Sequence, residues 1–270
     1  MYKLAVFDLD GTLLNSKHRI SKENIEAINL LRKNNIHVVI ATGRSNQLLK
    51  PYLEALNIKD DVITCNGTVI GHPDKEVMLY EDIVPKDEVR KALEMCLKYD
   101  HQFLVYTSKA VVARENDWNM FLKEKNVTNN NSFKANFLIT EDIEDIINNH
   151  SVNKILIIER NDVKYTELAK RVNNYDKVAH TQSAKSYLDI GPLNNSKGKA
   201  IKILCKELGL NLDEVIAFGD QMNDISMISI VGFGVAMGNA RDEVKKYADF
   251  VTLTNDEDGV AYAIKTQILK

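Results

Sequence analysis

The sequence predicts an α/β protein with a mainly parallel sheet, whose chain is interrupted by a second domain of α+β type. Short apolar runs alternate with segments of helical periodicity in the first and last thirds of the chain. Residues 84–185 lack this regular alternation and mix strand-like with helical segments. We therefore predict one α/β domain formed by residues 1–83 and 186–270, with residues 84–185 inserted as a domain of its own.

In the first third, apolar runs predict strands and two serines predict the starts of helices. Ser21 precedes apolar residues at helical spacing and is a predicted N-cap, and Ser45 is predicted to open a second helix ending near Leu56. The predicted strands cover residues 3–7, 36–41 and 62–65. Strands separated by helices imply a parallel sheet with right-handed crossovers.

In the rest of the chain, local patterns predict both kinds of element. Pro85 is predicted to precede a helix that starts at Lys86, and the Asn-rich run at residues 128–131 is predicted to be a surface loop. Further helices are predicted at residues 118–125, 141–149, 165–172, 197–208, from about 243, and 260–268. Further strands are predicted at residues 103–106, 111–113, 155–158, 186–190, 215–218 and 231–236.

Composition excludes several classes of protein. The 270 residues are 44% hydrophobic and 27% charged with a net charge of −3, so there is no basic footprint for nucleic acid or an anionic membrane. No apolar stretch is long enough to cross a bilayer, and the N-terminal run is too short and too acidic for a signal peptide. The three cysteines cannot form a complete disulfide framework, and buried thiols are favoured over a reactive role. We expect a cytoplasmic protein, a monomer or weak homo-oligomer, that binds neither nucleic acid nor membrane.

Two acids follow the first predicted strand, where residues 8–14 read DLDGTLL. Ligand sites in open α/β sheets lie outside the carboxyl ends of strands, and alternation puts Asp8 and Asp10 on the same side of an extended chain. Two close carboxylates repel each other unless a cation lies between them, and Mg²⁺ prefers oxygen ligands. The pair alone is equally consistent with one Asp capping a helix while the other begins a turn.

Two further segments offer groups that suit a phosphate. Thr42 and Gly43 lie between a predicted strand and a predicted helix, where a hydroxyl and backbone N–H groups can bind phosphate, although Thr42 alone is more often a helix cap. Lys197 lies in the first turn of a predicted helix, where a positive charge opposes the helix dipole unless an anion is nearby. A solvated lysine is the alternative interpretation.

A fourth segment, residues 219–224, reads GDQMND after another predicted strand. Asp220 is placed to complete a cation site with the acids near the N-terminus, and Asn223 and Asp224 follow closely. A surface turn explains acids at this place, but not their spacing together with the other three segments in order. The four segments together therefore indicate one site.

These four segments resemble motifs I to IV of the haloacid-dehalogenase superfamily. Residues 8–14 resemble motif I, residues 41–44 motif II, Lys197 the motif III lysine, and residues 219–224 the GDxxND form of motif IV. Other segments are similar to its Cof-type branch, namely residues 66–67, 186–190, 234–240 and 255–261. The resemblance implies a Rossmann-like core with a mainly parallel sheet, and the inserted domain is similar in placement to the type II, α+β cap.

The resemblance also implies a function and roles for single residues. It implies a magnesium-dependent phosphatase that hydrolyses small phosphomonoesters, such as sugar phosphates and related metabolites, through an aspartyl-phosphate intermediate. Asp8 would be the nucleophile, and Asp10 the general acid and base. The implied phosphate-binding groups are Leu9, Thr42, Gly43, Lys197 and Asn223. The implied Mg²⁺ ligands are Asp8, Asp10 through its backbone carbonyl, and Asp220. Asp224 would support these ligands without contacting the metal.

Two other functions remain open from the sequence. A phosphotransferase similar to a phosphohexomutase would use the same nucleophile and a similar inserted domain. A non-catalytic sensor of a phosphorylated ligand is the third interpretation. The presence of both Asp8 and Asp10 argues against the sensor, because binding alone does not need both carboxylates.

Overall fold

The structure is a computed structural model that describes residues 1–124 and 136–269. The predicted loop at residues 128–131 and the last residue of the predicted helix at 118–125 lie outside the described residues. The described chain forms two compact units. The core unit comprises residues 1–43, residues 51–72 and the described residues from Ser196 onwards. The inserted unit comprises residues 44–50 and the described part of residues 73–195.

Both units combine short strands with helices. The strands are β1 (Leu4–Phe7), β2 (His37–Ile40), β3 (Val62–Thr64), β4 (Val69–Gly71), β5 (Tyr80–Glu81), β6 (Gln102–Tyr106), β7 (Val111–Ala113), β8 (Phe137–Ile139), β9 (Lys154–Ile158), β10 (Val178–Ala184), β11 (Tyr187–Pro192), β12 (Val215–Gly219), β13 (Phe233–Ala236) and β14 (Phe250–Val251). The helices are α1 (Lys22–Lys33), α2 (Lys50–Leu56), α3 (Lys86–Tyr99), α4 (Glu115–Glu124), α5 (Ile143–Asn149), α6 (Asp162–Val172), α7 (Lys197–Leu208), α8 (Ile225–Ile228), α9 (Asp242–Lys245) and α10 (Gly259–Ala263).

The core unit is built on a five-stranded parallel sheet in the order β14-β13-β12-β1-β2. Strand β1, which lies between β12 and β2, is completely buried, and Phe7 at its end stacks on Phe218 of β12 with ring centroids 4.8 Å apart. A single parallel bridge between Ala41 and Ile63 places β3 beside the end of β2. Because the strands are parallel, their carboxyl ends meet at one edge of the sheet. The predicted α/β class with a mainly parallel sheet is confirmed.

The inserted unit has a sheet of its own, in the order β10-β11-β9-β6-β7-β8. The pairs are antiparallel except for β7 and β8, which are parallel. Apolar side chains from α3, α5 and α6 pack with those of the sheet into one buried cluster that includes Leu93, Phe103, Ile146, Ile157 and Leu168. The predicted α+β character of this part of the chain is confirmed.

The bounds of the two units differ from the predicted bounds at residues 83 and 186. Residues 187–192 form β11, which lies between β9 and β10 and hydrogen-bonds to both, so this segment belongs to the inserted sheet. At the other boundary, Asn153 donates hydrogen bonds to the side chain of Glu81 and to the carbonyl of Asp82. Long-range pairing of this kind gives no local signal in the sequence.

Several elements differ in detail from their predictions. Ser21 caps α1 as predicted, because its Oγ accepts the amide of Asn24 at 3.1 Å. Ser45 makes no capping bond, and the predicted helix after it is a short 3₁₀ turn at Asn46–Leu48 followed by α2. The helix predicted from about residue 243 is the single turn α9, and α10 continues into a π turn at Ile264–Ile268. No helix within residues 1–124 and 136–269 has the length and apolar character that spanning a bilayer requires.

Candidate active site

Asp8 lies at the carboxyl end of β1, between β12 and β2. It directly follows β1, and its backbone N–H continues the ladder by donating to the carbonyl of Phe218 at 3.0 Å. The residue is only 5% exposed. Burial raises the pKa of the Asp8 carboxyl well above its usual value of 3.8, and the nearby acids Asp224 and Asp220 act in the same direction, while Lys197 opposes them. Asp8 therefore lies in a site where additional negative charge is unfavourable.

Lys197 is the first residue of α7, a position where the helix dipole disfavours a positive charge. Ser196 caps this helix by accepting the amide of Lys199 at 3.1 Å. The buried ammonium of Lys197 donates to Asp8 Oδ1 and to Asp224 Oδ1, both at 2.6 Å. Burial disfavours the charged ammonium, but the two carboxylates outweigh it, and the pKa of Lys197 is raised. The anions needed to offset the helix dipole are therefore present.

The turn after β12 is organised by Asp224. Its Oδ2 accepts the backbone amides of Asp220 at 2.9 Å and of Gln221 at 2.8 Å, while its Oδ1 binds Lys197. Both oxygens of this fully buried carboxylate are thus engaged by the protein itself. Asp224 fixes both the backbone at Asp220 and the position of the lysine.

Asp220 lies at the same sheet edge as Asp8. Its Oδ1 accepts the hydroxyl of Thr12 at 2.9 Å, and its Oδ2 accepts the side-chain amide of Gln221 at 2.8 Å. Burial and the charge of Asp224 raise the pKa of Asp220 to about 7, against the opposing effect of these hydrogen bonds. The ionised form of Asp220 is therefore disfavoured relative to that of an exposed aspartate.

The three acids form a compact group with an excess of negative charge. Oxygen atoms of Asp8, Asp220 and Asp224 all lie within 4.8 Å of one another, and all three residues are buried. Lys197 supplies a single positive charge to three carboxylates. A buried, all-oxygen donor set with uncompensated negative charge fits a divalent cation such as Mg²⁺.

Asp10 differs from this group in its environment. Its carboxylate is about half exposed, with a side-chain exposure of 46%, and its Oδ1 lies 4.0 Å from Nδ1 of His18. The expected alternation along an extended chain does not continue past Asp8, because the chain turns after β1 and the backbone amides of Thr12 and Leu14 bond to the carbonyl of Leu9. The Asp10 side chain is therefore open to solvent rather than packed among the three buried acids.

The remaining predicted residues lie on the loops at this edge of the core unit. Leu9 is buried beside Asp8. Thr42 is buried two residues after β2, and its backbone N–H donates to the carbonyl of Ile63 at 2.9 Å, which ties it to β3. Gly43 follows it, and Asn223 lies in the 3₁₀ turn Met222–Asp224. All four residues belong to the core unit, as do the three acids and Lys197.

Three residues to which the sequence analysis assigns no role contact the predicted site residues. Thr12 and Gln221 bond Asp220, and Asn66 bonds Asn223. Thr12 lies inside the DLDGTLL string and could have been found as the hydroxyl nearest to the acids. Asn66 belongs to a recognisable turn signal, but its contact with Asn223, at 2.9 Å, joins residues 157 positions apart and has no sequence signal. Gln221 lies inside the fourth segment at a position to which the motif gives no chemical role.

Comparison with known proteins identifies a family and several relatives. The family described as haloacid dehalogenase-like hydrolase matches residues 5–264. The phosphatase YwpJ of Bacillus subtilis is 33% identical, over 97% of this chain and 99% of its own. The 5-amino-6-(5-phospho-D-ribitylamino)uracil phosphatase YcsE of the same organism is also 33% identical, over 99% of this chain and 96% of its own. A haloacid dehalogenase-like hydrolase from Bacteroides thetaiotaomicron has a similar crystal structure, with a TM-score of 0.85 and 33% identity over 98% of this chain and 99% of the other.

The fold and the match over most of the chain define the class of protein. The chain belongs to the haloacid dehalogenase-like hydrolase family, which confirms the resemblance drawn from the four motifs. Within that family its relatives are phosphatases, and the chain is accordingly a phosphoric monoester hydrolase.

Proposed function

We propose that this protein is a Mg²⁺-dependent phosphatase of small phosphomonoesters that works through an aspartyl-phosphate on Asp8. The observation that carries the proposal is the buried group in which Lys197 bonds both Asp8 and Asp224 at 2.6 Å, while Asp220 lies close by. Three acids and one lysine leave an excess of negative charge, which a divalent cation would balance. With the cation bound, a phosphate monoester could bind beside the ammonium of Lys197 through charge-assisted hydrogen bonds.

Asp8 and Asp220 are the side chains that would hold Mg²⁺, together with the backbone carbonyl of Asp10. Asp224 is less suited to direct coordination because its oxygens accept two backbone amides and the charged ammonium of Lys197, whereas those of Asp220 accept only a hydroxyl and a neutral side-chain amide. Bound there, Mg²⁺ would screen the repulsion between the attacking carboxylate and the phosphate. Thr12 and Gln221 each donate a hydrogen bond to the carboxylate of Asp220 and hold it in place.

In the first half of the proposed reaction, a carboxylate oxygen of Asp8 attacks the phosphorus and the bond to the leaving oxygen breaks. Asp10, whose side chain reaches solvent, donates a proton to the leaving oxygen. In the second half, Asp10 removes a proton from the water that attacks the phosphorus, and Asp8 is released as a carboxylate. Such acid–base assistance is typically worth about 10²–10⁴-fold in rate.

The phosphoryl oxygens would be bound by groups on the surrounding loops. Lys197 contributes charge, Thr42 a hydroxyl, and Asn223 its side-chain amide, with the backbone amides of Leu9 and Gly43 as further donors. Stabilisation of the charge that develops in the transition state is usually the largest catalytic contribution. Lys197 is already fixed at the nucleophile, so this contribution requires little reorganisation.

The substrates we propose are sugar phosphates and related small metabolites in the cytoplasm. The relative YcsE is named for a substrate that carries phosphate on a ribityl chain, which supports this chemical class. All three cysteines are buried and free, as is usual in a reducing compartment.

A panel of phosphorylated metabolites, assayed for released phosphate with and without Mg²⁺, tests the proposal. Sugar phosphates, a ribityl phosphate, pyridoxal phosphate and nucleotides represent the main chemical classes. We expect Mg²⁺-dependent phosphate release, with sugar-type phosphates among the better substrates. Conversion of one hexose phosphate into its isomer without phosphate release would instead identify a mutase, and binding without turnover would identify a sensor.

A further inference from the structure

The turn between β3 and β4 has an unusual backbone. The first three of its four residues, Cys65, Asn66 and Gly67, have positive φ angles, of 51°, 60° and 101°. Only glycine adopts this region freely, Asn and Asp adopt it at moderate cost, and other residues rarely do. Such a run persists only where surrounding structure determines it, and the sheltered position of Asn66, which is 9% exposed, indicates that it does.

The first contact of this turn is with the loop after β2. The backbone N–H of Asn66 donates to the carbonyl of Thr42 at 3.0 Å. The side chain of Asn66 then packs against Gly43 so closely that a Cβ atom added to Gly43 would lie 2.9 Å from Asn66 Oδ1. The turn therefore sets the position of two residues that the proposed function assigns to phosphate binding.

The second contact is with Asn223. Nδ2 of Asn223 donates to Oδ1 of Asn66 at 2.9 Å. This hydrogen bond fixes the orientation of the Asn223 side-chain amide. Oδ1 of Asn223 is buried, and no donor among residues 1–124 and 136–269 reaches it. Asn66 thus decides which way the amide of Asn223 is turned, since exchanging its oxygen and nitrogen would place two acceptors face to face.

The third contact is with the start of α7. A Cβ atom added to Gly67 would lie 2.4 Å from the carbonyl oxygen of Ser196, so the turn and the helix N-cap are in direct backbone contact. The next residue is Lys197, which bonds Asp8. One turn therefore touches the Thr42–Gly43 loop, the amide of Asn223 and the helix that carries the lysine.

We propose that Asn66 is a positioning residue for phosphoryl transfer, which acts mainly by orienting the amide of Asn223. The inference rests on the proposed function, because Asn223 is there a phosphate-binding residue. Partners that orient the ligands of a metal typically contribute about 10–100-fold to activity, and we expect an effect of the same order from a partner that orients a phosphate-binding amide. Asn66 reaches the reaction only through its neighbours, so its removal changes the geometry of the site without removing a reacting group.

The variant Asn66→Gly tests this inference without straining the backbone, because glycine accepts a φ of 60° freely. We expect kcat/KM for a phosphomonoester to fall by about 10–100-fold, mainly through kcat. Asn35→Gly is the matched control, since Asn35 is exposed, has a φ of 59° and lies outside the site. The control is expected to keep wild-type kinetics.

A double-mutant cycle with Asn223→Ala separates positioning from a general structural effect. If Asn66 acts through Asn223, the double variant has about the same kcat/KM as Asn223→Ala alone. Fully additive losses, or unchanged kinetics in Asn66→Gly, would overturn the inference.

A measurement that does not depend on turnover keeps the inference distinct from the proposed function. In ¹⁵N-labelled protein, the side-chain NH₂ signals of Asn223 are expected to shift in Asn66→Gly and to exchange faster with solvent, but not in Asn35→Gly. Unchanged Asn223 signals would contradict the inference even in an active enzyme. If the wild-type protein released no phosphate while these signals moved as expected, the proposed function would fail and the positioning contact would stand.

Discussion

Both units of this protein bury charged side chains, but they balance the charges differently. In the described inserted unit, the buried acids Asp189 and Asp117 each pair with a base, Lys154 at 3.0 Å and Arg114 at 2.6 Å. In the core unit, one lysine serves three buried acids. Removing one partner of a buried pair leaves the other charge uncompensated, whereas an excess of buried charge is offset by a shifted pKa or by a bound ligand.

The balance of buried charge therefore distinguishes the structural ion pairs of the inserted unit from the candidate active site of the core unit. Each pair in the inserted unit is complete within the chain, so its contribution is to stability and to the geometry of the fold. The three buried acids of the core unit have only one lysine to balance their charge. The raised pKa values of Asp8 and Asp220 follow from burial and from mutual repulsion. Substitution of a buried acid should consequently lower turnover in the core unit and lower stability in the inserted unit.

The largest expected effect is on turnover in Asp8→Ala. Removing the nucleophile should lower kcat by at least about 10³-fold while the fold is kept, because the substitution also removes a buried carboxylate from a repulsive group. Circular dichroism and phosphate release measure the two properties on the same sample. A variant with a tenth or more of wild-type activity would disprove the nucleophile assignment.

Asp117→Ala is the matched control for that experiment. It removes an equally buried acid, but one that is paired with Arg114 in the inserted unit. We expect unfolding at lower denaturant concentration and a kcat within about threefold of wild type, since the lost interaction belongs to the fold. A loss of turnover comparable to that of Asp8→Ala would erase the distinction between the two units.

The next largest effect is expected on stability in Lys154→Met. Lys154 and Asp189 are both almost fully buried, and the ammonium also lies 4.6 Å from the centre of the Tyr106 ring. Removing only the base should cost about 3–5 kcal/mol, because Asp189 is left as an uncompensated buried acid. Urea unfolding at constant pH gives the change in the free energy of unfolding.

The double variant Lys154→Met/Asp189→Leu sharpens the comparison. Replacing both charges with apolar groups should recover most of the stability lost in the single variant, as expected for a pair that is complete within the fold. A double variant as unstable as Lys154→Met alone would mean that the cost arises from packing and not from the buried charge.

Sequence reasoning was most successful where chemistry and local structure coincide. Asp8 and Asp220 end buried parallel strands, and Lys197 opposes a helix dipole, so motif and periodicity pointed to the same sheet edge. The meeting of these residues follows from the parallel sheet, and the sheet from alternating apolar runs. Most of the core unit could therefore be predicted, as could the α+β character of the insertion.

The features that escaped prediction depend on contacts between distant residues. Strand β10 has the mostly polar sequence VAHTQSA, so its place beside β11 is set by pairing and not by its own periodicity. Asn66-Gly67 is a recognisable turn signal, but the positive φ of Cys65 before it and the bond between Asn66 and Asn223, 157 positions apart, have none. The environment of Asp10 was also missed, because the chain leaves the extended conformation directly after β1.

The smallest expected effect concerns the pH dependence of stability in protein freed of metal by a chelator. The pKa of Asp220 is raised from 3.8 to about 7, so the folded state binds this proton more tightly than the unfolded state. Its stabilising effect is therefore complete below about pH 4 and is lost as the pH rises through about 7. We expect Tm to fall by a few degrees between about pH 5 and pH 8, since about 1 kcal/mol corresponds to about 2–4 °C at this size.

The same measurement with Mg²⁺ and with Asp220→Asn identifies the source of that fall. Mg²⁺ should raise Tm most at the higher pH, where the carboxylates are ionised, because a ligand that binds only the folded state stabilises it by mass action. Asp220→Asn removes one of the two acids with a raised pKa, so the fall in Tm should become smaller and most of the response to Mg²⁺ should disappear, while Asp8 accounts for the pH dependence that remains. If the fall in Tm persisted unchanged in this variant, the carboxylate of Asp220 would not contribute to it, and the contrast with the paired charges of the inserted unit would lose this part of its physical basis.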